Sequence, residues 1–444
     1  LSSAASDVYK RQLYITYMNK ENNKQNLTSS PLPAGEGKGV RLLLDDGTVF
    51  HGKSFGYEKT VAGEVVFNTA MTGYPESLTD PSYAGQLMTL TYPLVGNYGV
   101  PPFTVEPNGL ATFMESGHIH AEAIIVSDYS ENYNHWNAVE SLDDWLKREQ
   151  VPGITGIDTR ELTKILREHG VMMGKIVFDD EPDSGQWGVD NYGDINYVDR
   201  VSCKDIIAYA GTESLHLSVD APAAQLNAQL SDLDSRILNL NSGSLNLNSG
   251  SLDLNSRRKK RVLLVDCGVK TNIIRCLLKR DVTVVRVPWD YDYNGLEFDG
   301  LFISNGPGDP DTCDAAVQNI RKAMKDEALP IFGICMGNQL LAKAGGAKIY
   351  KLKYGHRSHN QPVRMVGTER CFITSQNHGY AVDNGTLNED WEPLFINMND
   401  GSNEGIRHKR NPWFSAQFHP EAASGPTDTE FLFDDFVKLV MGGF

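Results

Sequence analysis

Short alternations of apolar and polar residues fill the chain from residue 39 to about 205 and predict strands mixed with helices. The segment VRLLLDDGTVFHGKSFG at 40–56 alternates on both sides of Asp46-Gly47, a pair that favours a hairpin turn. Further predicted strands are GEVVFNTAM, QLMTLTYPLVGNYGV and AEAIIVSDYS. Two helices are predicted, SLDDWLKREQVPGI and GIDTRELTKILREHG, of which the second is capped by Asp158 or Thr159 and stops at Gly170. The pattern indicates a smaller N-terminal α+β domain over residues 39–205.

A different pattern begins at residue 261, where continuous apolar runs alternate with helical periodicity. The run VLLVDCG is typical of a parallel strand that is buried on both faces. Other predicted strands are VTVVRVP, GLFIS and LPIFGIC, and the predicted helices are KTNIIRCLLKRD, PDTCDAAVQNIRKAMKDEA and NQLLAKAGG. This alternation predicts a C-terminal α/β domain with an open, mostly parallel sheet over residues 261–444. Ligands of such sheets bind beyond the carboxyl ends of the strands.

The segment between these domains, residues 206–260, is predicted to be a linker. It contains the seven-residue repeats ILNLNSG, SLNLNSG and SLDLNSR at 237–257. A coiled coil or a β-solenoid rung is the alternative interpretation, but glycine interrupts the repeats and three copies are too few for a solenoid. The basic run 257–261 is predicted to be a solvated start of the next strand rather than a nucleic-acid patch.

Composition and charge exclude several classes of protein. Of the 444 residues, 57 are acidic and 41 are Lys or Arg, so the net charge of −16 is opposite to the cationic face that nucleic-acid binding requires. No apolar window is long enough for a membrane span, and the N-terminus lacks the pattern of a secretory signal. The six cysteines have no close-pair spacing, which argues against a disulfide framework or a zinc site. We expect a cytoplasmic protein that binds no nucleic acid, membrane or metal, and whose residues 1–38 are a disordered or artefactual tail.

The first candidate for chemistry is the segment Gly333-Ile334-Cys335-Met336-Gly337, where a predicted strand passes into a predicted helix. This strand–turn–helix context is that of a nucleophile elbow with cysteine in place of serine. Flanking glycines permit a tight turn, and the N-terminus of the helix favours the thiolate. A buried structural cysteine is the alternative interpretation, but the glycines and the context favour Cys335 as a nucleophile.

A nucleophile requires a base, and the segment WFSAQFHPEAASGP supplies one. Its alternating apolar residues predict a strand that ends at His419-Pro420-Glu421. We predict that His419 accepts the thiol proton and that Glu421 orients the imidazole, which completes a triad with Cys335. His378 is a weaker candidate for the base, because no carboxylate stands two residues after it.

The glycine- and proline-rich segment 305–310, NGPGDP, follows another predicted strand. Such a segment is usually only a turn. At the carboxyl end of a parallel strand, however, it offers free backbone N–H groups to a developing oxyanion. We predict that the backbone N–H groups of Gly306 and Met336 are these donors.

Taken together, these segments carry a family resemblance. FGICMGNQLLA, SNGPGDP and QFHPEA resemble a class I, triad-type glutamine amidotransferase domain. Two further segments narrow the resemblance to the small, glutamine-hydrolysing subunit of carbamoyl phosphate synthetase, namely TSQNHGYAV and GEVVFNTAMTGYPESLTDPSYAGQ. The similarity runs from about residue 40 to residue 444, apart from the segment with the repeats.

The resemblance implies that Cys335 attacks the side-chain amide of glutamine, releases ammonia and leaves a glutamyl thioester that water hydrolyses. The implied glutamine-binding residues are Ser82, Gly306, Gly308, Met336, Gln339, Asn377, Gly379 and Tyr380. The elbow helix reads Met336-Gly337-Asn338-Gln339 where relatives often have Leu-Gly-His-Gln, and Tyr380 stands where phenylalanine is usual. Neither change is expected to abolish the chemistry, since His419 supplies the base and Tyr380 is expected to act through its backbone.

The same resemblance implies a partner protein. Ammonia released into neutral water becomes ammonium, so a domain that makes ammonia needs a channel into a synthetase. The implied partner is the large subunit of carbamoyl phosphate synthetase, which uses ATP and a divalent metal to make carbamoyl phosphate from bicarbonate for arginine and pyrimidine synthesis. The pattern Gly-x-x-x-x-Gly-Lys-Ser occurs at residues 47–54, but inside the predicted hairpin and not where a strand passes into a helix, as a phosphate-binding loop requires. We therefore expect no cofactor on this chain.

Two functions of other classes are the alternatives. A stand-alone hydrolase or thiol protease would use the same triad, but it would cleave peptides and ignore free glutamine. A catalytically silent scaffold would only activate its partner, and the presence of Cys335, His419 and Glu421 argues against that function.

Overall fold

The computed structural model describes residues 37–181, 192–242 and 259–443, with the side chains of 238–242 excepted. The described residues from Lys38 onward form one compact unit. Residues 1–36 of the predicted tail and 243–257 of the repeats lie outside the described residues. None of the helices in the described ranges has the length and apolar character needed to cross a membrane.

The N-terminal part of the described chain is a closed barrel of seven strands. These are β1 Gly39–Leu44, β2 Val49–Gly56, β3 Val61–Asn68, β4 Gln86–Leu90, β5 Ala123–Val126, β6 Pro152–Thr155 and β7 Met172–Phe178. Around the barrel their order is β1-β2-β6-β5-β4-β3-β7, and β7 pairs with β1 to close it. The hairpin predicted at Asp46-Gly47 joins β1 to β2, where Gly47 N–H donates a hydrogen bond to the Leu44 carbonyl at 2.9 Å.

Short helices accompany the barrel. They are α1 Tyr74–Thr79, α2 Leu142–Arg148, α3 Thr159–His169 and α4 Tyr197–Val201. The side chain of Ser141 caps α2 by accepting a hydrogen bond from Asp144 N–H at 3.0 Å. Asp158 caps α3 in the same way through Glu161 N–H at 2.9 Å, and the helix ends at Gly170. The two predicted helices and the predicted α+β character of this part are therefore confirmed.

The C-terminal part of the described chain is an open sheet of eleven strands. They are β8 Ile206–Ala210, β9 Glu213–Leu217, β10 Arg261–Asp266, β11 Thr283–Pro288, β12 Gly300–Ile303, β13 Ile331–Ile334, β14 Ile349–Met365, β15 Cys371–Val382, β16 Trp391–Asn397, β17 Asn403–His408 and β18 Trp413–Ala416. Their order is β15-β14-β16-β17-β18-β13-β12-β10-β11-β8-β9. The strands from β18 to β11 are parallel, and antiparallel strands extend the sheet on both sides. An open sheet with parallel strands at its centre confirms the predicted α/β fold.

Helices cover both faces of the parallel strands. The helices of this part are α5 Ala223–Ser242, α6 Thr271–Leu278, α7 Asp314–Ala323, α8 Met336–Ala344 and α9 Phe431–Val440. Leu263 of β10 belongs to an apolar core that includes Leu340 of α8. The preceding residue, Val262, belongs to a second core that includes Phe433 of α9. Successive residues of β10 thus face two cores, which explains the continuous apolar run in the sequence.

Part of the predicted linker is folded. β8 pairs with β11 at the edge of the sheet, and β9 pairs with β8. Leu226, Leu230 and Leu233 of α5 are buried in a core of the same sheet. The prediction of a linker is therefore wrong for residues 206–237, because leucines spaced by four and three residues give α5 an apolar face that packs on the sheet.

Arg261, which was predicted to be solvated, is 0% exposed. Its guanidinium lies 2.7 Å from the Asp234 carboxylate of α5. Asp234 also accepts a hydrogen bond from Thr283 Oγ1 at 2.7 Å. The prediction is wrong at Arg261 because α5 supplies a buried carboxylate that offsets the desolvation of the guanidinium.

Candidate active site

Cys335 lies in the turn between β13 and α8, where the sequence predicts it. Its φ of 54° is a conformation that residues other than glycine rarely adopt. Its N–H donates a hydrogen bond to the Ala416 carbonyl of β18 at 2.8 Å. A Cβ atom at Gly333 would overlap the carbonyl oxygen of Gly337, and one at Gly337 would overlap that of Ile303. Both glycines are therefore required for this tight turn.

His419 and Glu421 follow β18 and form a buried hydrogen-bonded pair. His419 Nδ1 lies 2.7 Å from Glu421 Oε1. Because an ionised carboxylate only accepts hydrogen bonds, Nδ1 carries a proton and the imidazole presents Nε2 for proton exchange. The His419 N–H donates to the Ser375 carbonyl at 2.8 Å, which fixes the backbone at this position.

A buried lysine that the sequence analysis missed joins this pair. Lys270 Nζ lies 2.7 Å from Glu421 Oε1, the oxygen that also contacts His419. Lys270 follows β10 at the carboxyl end of a parallel strand, and its N–H donates to Asn305 Oδ1 at 3.2 Å. That position in the sheet is the only sequence signal for Lys270, because it belongs to no motif with Glu421.

The charges of His419, Glu421 and Lys270 shift one another's pKa values. Burial and Lys270 lower the pKa of His419, but Glu421 and the Cys335 sulfur outweigh them and raise this pKa to about 10. Burial raises the pKa of Glu421, but Lys270 and His419 lower it further, to about 2. Burial lowers the pKa of Lys270, but the neighbouring carboxylates, Glu421 foremost, raise it above its usual value. The raised pKa of His419 favours uptake of a proton by its imidazole, and Lys270 and a protonated His419 then place two cations around one buried carboxylate.

The Cys335 sulfur lies close enough to the His419 imidazole to affect its pKa, but the thiol forms its hydrogen bond with another group. Its thiol donates a hydrogen bond to the Asn377 carbonyl at 3.5 Å. His419 Nε2 is buried and has no hydrogen-bond partner within the described part of the chain. Transfer of the thiol proton to Nε2 would create a thiolate next to an imidazolium, which is the reactive form of a cysteine nucleophile.

A cavity opens beside Cys335. All eight predicted glutamine-binding residues line it with Cys335: Ser82, Gly306, Gly308, Met336, Gln339, Asn377, Gly379 and Tyr380. They come from the barrel, the turn after β12, α8 and β15. The fold thus brings residues that are distant in the sequence to one cavity, while the binding role of each stays a prediction. The same holds for Gly306 and Met336 as oxyanion donors.

Hydrogen bonds between these elements hold the walls of the cavity together. Tyr380 Oη donates to Asp309 Oδ2 at 2.9 Å, a bond that phenylalanine would not form. Gln339 Nε2 donates to the Tyr380 carbonyl at 3.1 Å. Asn305 Nδ2 donates to Ser82 Oγ at 2.9 Å and joins the sheet to the barrel. The tyrosine in place of phenylalanine therefore ties β15 to the turn after β12.

Asn338, the other departure from the family pattern, fastens α8 to the sheet. Its Nδ2 donates a hydrogen bond to Gln417 Oε1 at 2.8 Å, and its Oδ1 accepts one from Ser415 Oγ at 2.7 Å. Asn338 is fully buried. The asparagine thus helps to position the helix that follows Cys335.

Charged residues that the sequence analysis missed also line the cavity, namely Glu64, Lys351 and Arg357. Lys351 Nζ lies 3.0 Å from Glu64 Oε1, and Gln86 Nε2 donates to Glu64 Oε2 at 3.0 Å. Arg357 is buried, and its Nε has no hydrogen-bond partner among the described residues. No motif marks these residues, because the barrel and β14 bring them to the cavity only in the folded chain. They give the cavity charges of both signs.

Both ring nitrogens of His378, the weaker candidate for the base, lie within hydrogen-bond distance of other groups. Its Nδ1 lies 2.9 Å from the Tyr380 carbonyl, and its Nε2 lies 3.2 Å from Gln376 Oε1. Both ring nitrogens are therefore directed at groups other than Cys335. The geometry favours His419 as the base, as the sequence analysis does.

A second cavity adjoins the first. His419, Lys270, Asp80 and Glu115 line it, and Asn377 lines both cavities. The nucleophile thus faces one cavity and the base faces the other.

Two protein-family models match the chain. The model described as "Glutamine amidotransferase class-I" matches residues 263–439. The model described as "Carbamoyl-phosphate synthase small chain, CPSase domain" matches residues 42–176. The first match lies on the open sheet and the second on the barrel.

Individual relatives agree with these matches. The carbamoyl phosphate synthase arginine-specific small chain of Aspergillus oryzae is 44% identical over 401 residues, which are 90% of this chain and 80% of that protein. Multifunctional protein ura1 of Schizosaccharomyces pombe is 44% identical over 95% of this chain and 18% of its own length. Multifunctional protein CAD of Squalus acanthias is 46% identical over 89% of this chain and 16% of its own length, so the chain spans less than a fifth of these multifunctional relatives. From its similarity to the small chains and the two matched domains, this chain belongs to the carbamoyl-phosphate synthase small chain family and carries a class-I glutamine amidotransferase domain.

Proposed function

We propose that this chain hydrolyses glutamine to glutamate and ammonia as the small subunit of a glutamine-dependent carbamoyl phosphate synthase. One observation carries the proposal: Cys335 stands at the N-terminus of α8 inside a cavity that all eight predicted glutamine-binding residues line. His419 and Glu421 form the hydrogen-bonded pair that a cysteine nucleophile requires. Membership of the small chain family supports the same function.

The chemistry follows from the positions of these groups. The Cys335 thiolate attacks the side-chain amide carbon, and the carbonyl oxygen becomes an oxyanion that the N–H groups of Gly306 and Met336 stabilise. The His419 imidazolium then protonates the amide nitrogen, so the C–N bond breaks, ammonia leaves and a glutamyl thioester remains. Neutral His419 next takes a proton from water as the water oxygen attacks the thioester. Cleavage of the C–S bond releases glutamate and restores the thiolate–imidazolium pair.

The charges in the cavity fit a free amino acid. Free glutamine carries one ammonium and one carboxylate, whereas a glutamine residue inside a peptide carries neither. Arg357, whose Nε has no partner among the described residues, supplies a cation for the carboxylate, and Glu64 accepts a hydrogen bond from the ammonium in addition to its ion pair with Lys351. This complementarity favours a glutaminase over the alternative of a thiol protease.

The ammonia requires a partner protein. We infer that the second cavity, on the His419 side, leads the neutral ammonia towards a large subunit that binds ATP and a divalent metal and makes carbamoyl phosphate from bicarbonate. The glutaminase reaction itself needs no cofactor from this chain. The product would serve arginine and pyrimidine biosynthesis in the cytoplasm.

The test is glutamate release by the full chain, alone and co-purified with its large subunit. We expect the isolated chain to be slow and the complex to be faster, because docking repositions the elbow and the base. Cys335→Ala in the complex is expected to lower glutamine hydrolysis by about 10⁴-fold or more, while synthesis from added ammonia persists. Cys371→Ala, at an exposed cysteine, is the matched control and is expected to keep the full rate.

Two results would overturn the proposal in favour of the alternatives. Cleavage of peptides without hydrolysis of free glutamine would identify a protease. Glutamine-dependent synthesis that survives Cys335→Ala would mean that the chain only activates its partner.

A further inference from the structure

Three buried side chains from three strands converge beside the glutamine cavity, which one of them, His378, also lines. His356 lies on β14, His378 on β15 and Glu404 on β17. They are 8%, 4% and 0% exposed, respectively. One potential ligand atom from each residue lies within 4.8 Å of the other two. Their spacing in the sequence forms no metal-binding motif, which explains why the sequence analysis expected no metal.

Hydrogen bonds fix which nitrogen of each imidazole carries a proton. His356 Nε2 lies 2.9 Å from the Asp400 carboxylate, and His378 Nδ1 lies 2.9 Å from the Tyr380 carbonyl. Carboxylate and carbonyl oxygens only accept hydrogen bonds, so these two nitrogens carry the protons. In neutral imidazoles the lone pairs then lie on His356 Nδ1 and His378 Nε2, the nitrogens that face Glu404.

The lone pairs of these two neutral imidazoles face the Glu404 carboxylate, which cannot donate a hydrogen bond. Glu404 Oε1 lies 3.5 Å from His356 Nδ1 and 3.9 Å from His378 Nε2. It accepts one hydrogen bond, from Asn397 Nδ2 at 2.8 Å. His356 Nδ1 and Glu404 Oε2 are buried and have no hydrogen-bond partner in the described residues. Buried acceptors that face one another without a donor are unfavourable unless a cation lies between them, and that cation is either a second proton on His356 or a metal ion.

We propose that His356, His378 and Glu404 bind a divalent transition-metal ion of the zinc type through His356 Nδ1, His378 Nε2 and a Glu404 carboxylate oxygen. Two imidazoles and one carboxylate are a ligand set that Zn²⁺ accepts. Ligands about 2.0–2.1 Å from a tetrahedral ion lie roughly 3.4 Å apart. The two separations from Glu404, 3.5 and 3.9 Å, are close to this value, and the three ligand atoms lie within 4.8 Å of one another, so the side chains must draw together when the ion binds. Gln376 Oε1, 3.2 Å from His378 Nε2, is placed to be the fourth ligand.

The surroundings of the cluster also match a metal site. Histidines that bind metals usually donate their other ring N–H to a carboxylate or a backbone carbonyl. His356 does so to Asp400 and His378 to the Tyr380 carbonyl. His378 stands between Asn377 and Gly379, which line the glutamine cavity. The ion would thus join β14, β15 and β17 and brace the strand that forms one wall of this cavity.

The test uses Zn²⁺ as the probe and the metal content of the full chain as the readout. The background is Cys335→Ala, which prevents zinc from binding at the nucleophile. The protein is stripped with a chelator, loaded with micromolar Zn²⁺, desalted and analysed by mass spectrometry for zinc. We expect about one zinc ion per chain in the background and less than about a tenth of that after Glu404→Gln, because a carboxylate ligand is lost. His51→Gln, at an exposed histidine of β2, is the control and is expected to keep the zinc.

Asp400→Asn gives a second variant that does not disturb a buried ligand, because Asp400 is exposed. Its loss is expected to weaken Zn²⁺ affinity about 10- to 100-fold while the circular dichroism spectrum stays unchanged. Bound Co²⁺ is expected to give the visible bands of a site with nitrogen and oxygen ligands and no thiolate charge-transfer band. Equal zinc content with and without Glu404→Gln, or no zinc bound at micromolar concentrations, would overturn the proposal. All measurements use chains without the nucleophile, so they are independent of the proposed glutaminase.

Discussion

Lys270 and Glu421 form a buried ion pair in which Nζ and Oε1 are 2.7 Å apart, and the same oxygen lies 2.7 Å from His419 Nδ1. Lys270 affects the two members of the acid–base pair in opposite ways. It lowers the pKa of Glu421 and so keeps the carboxylate ionised, but it also lowers the pKa of His419. Glu421 outweighs Lys270 at the imidazole, so the net effect of this arrangement is an ionised Glu421 that stabilises a protonated His419.

Lys270→Met is expected to move the acid limb of the kcat/KM profile for glutamine to higher pH. The pKa of Glu421 lies at about 2 in the folded protein. Burial raises this pKa, and Lys270 is the group that lowers it most. Without the lysine this pKa rises, so Glu421 becomes protonated and stops supporting His419 at a higher pH than in the wild type. Lys322→Met, which removes a surface ion pair with Asp292, is the control and should leave the profile unchanged. An acid limb that does not move would mean that Lys270 has no effect on the triad.

Glu421→Gln is expected to move the alkaline limb of the same profile to lower pH. The imidazolium of His419 is present below its pKa of about 10, and Glu421 is the main group that raises this value against burial and Lys270. Without the carboxylate the pKa falls, so the proton for the leaving ammonia is lost at a lower pH. Steady-state kinetics between pH 6 and pH 10.5 give the measurement. If the limb stayed in place, Glu421 would not control the charge of His419.

Asp234→Ala is expected to lower the free energy of unfolding by about 3–5 kcal/mol, because it leaves the guanidinium of Arg261 buried without its carboxylate. Asp232→Ala removes an ion pair on the same helix whose two side chains are 75% and 50% exposed, and it should cost less than about 1 kcal/mol. Urea unfolding of both variants measures the difference. Similar losses in the two variants would contradict a packed role for α5 and favour the linker interpretation of this segment.

Ser82→Ala is expected to raise the KM for glutamine about 3- to 10-fold with a smaller change in kcat, because one hydrogen bond at the cavity wall is lost. Ser82 lines the cavity from the barrel and accepts a hydrogen bond from Asn305. Ser116→Ala removes a hydroxyl from the connection between β4 and β5, which donates to the Thr79 carbonyl away from this cavity. A KM that changes equally in both variants would argue against a contact between Ser82 and glutamine.

The parts of the site that are local in sequence are the parts that the sequence predicts. Gly333 and Gly337 mark the elbow because no larger residue fits on either side of Cys335. The spacing of His419 and Glu421 places both side chains after one strand, where they form their hydrogen bond. The turn chemistry and the hydrophobic pattern likewise predict the first hairpin, the helices at 142 and 159, and the parallel strands.

Residues that act through tertiary contacts escape such patterns. Lys270, Glu64 and Arg357 are charged residues without a local motif, and they reach the site only because separate strands and the barrel meet there. Burial of Arg261 depends on Asp234, which lies in a different element. The high content of asparagine and serine around α5 concealed the leucine periodicity that packs this helix on the sheet.

The most direct test of the central claim is to trap the covalent intermediate on Cys335. The full chain with its large subunit is mixed with glutamine, quenched in acid within the first turnovers and digested, and the peptides are analysed by mass spectrometry. We predict one glutamyl group on the peptide that contains Cys335, released by hydroxylamine as expected for a thioester and absent after Cys335→Ala. Continued release of glutamate with no glutamyl group on Cys335, or with the group on another residue, would contradict the account.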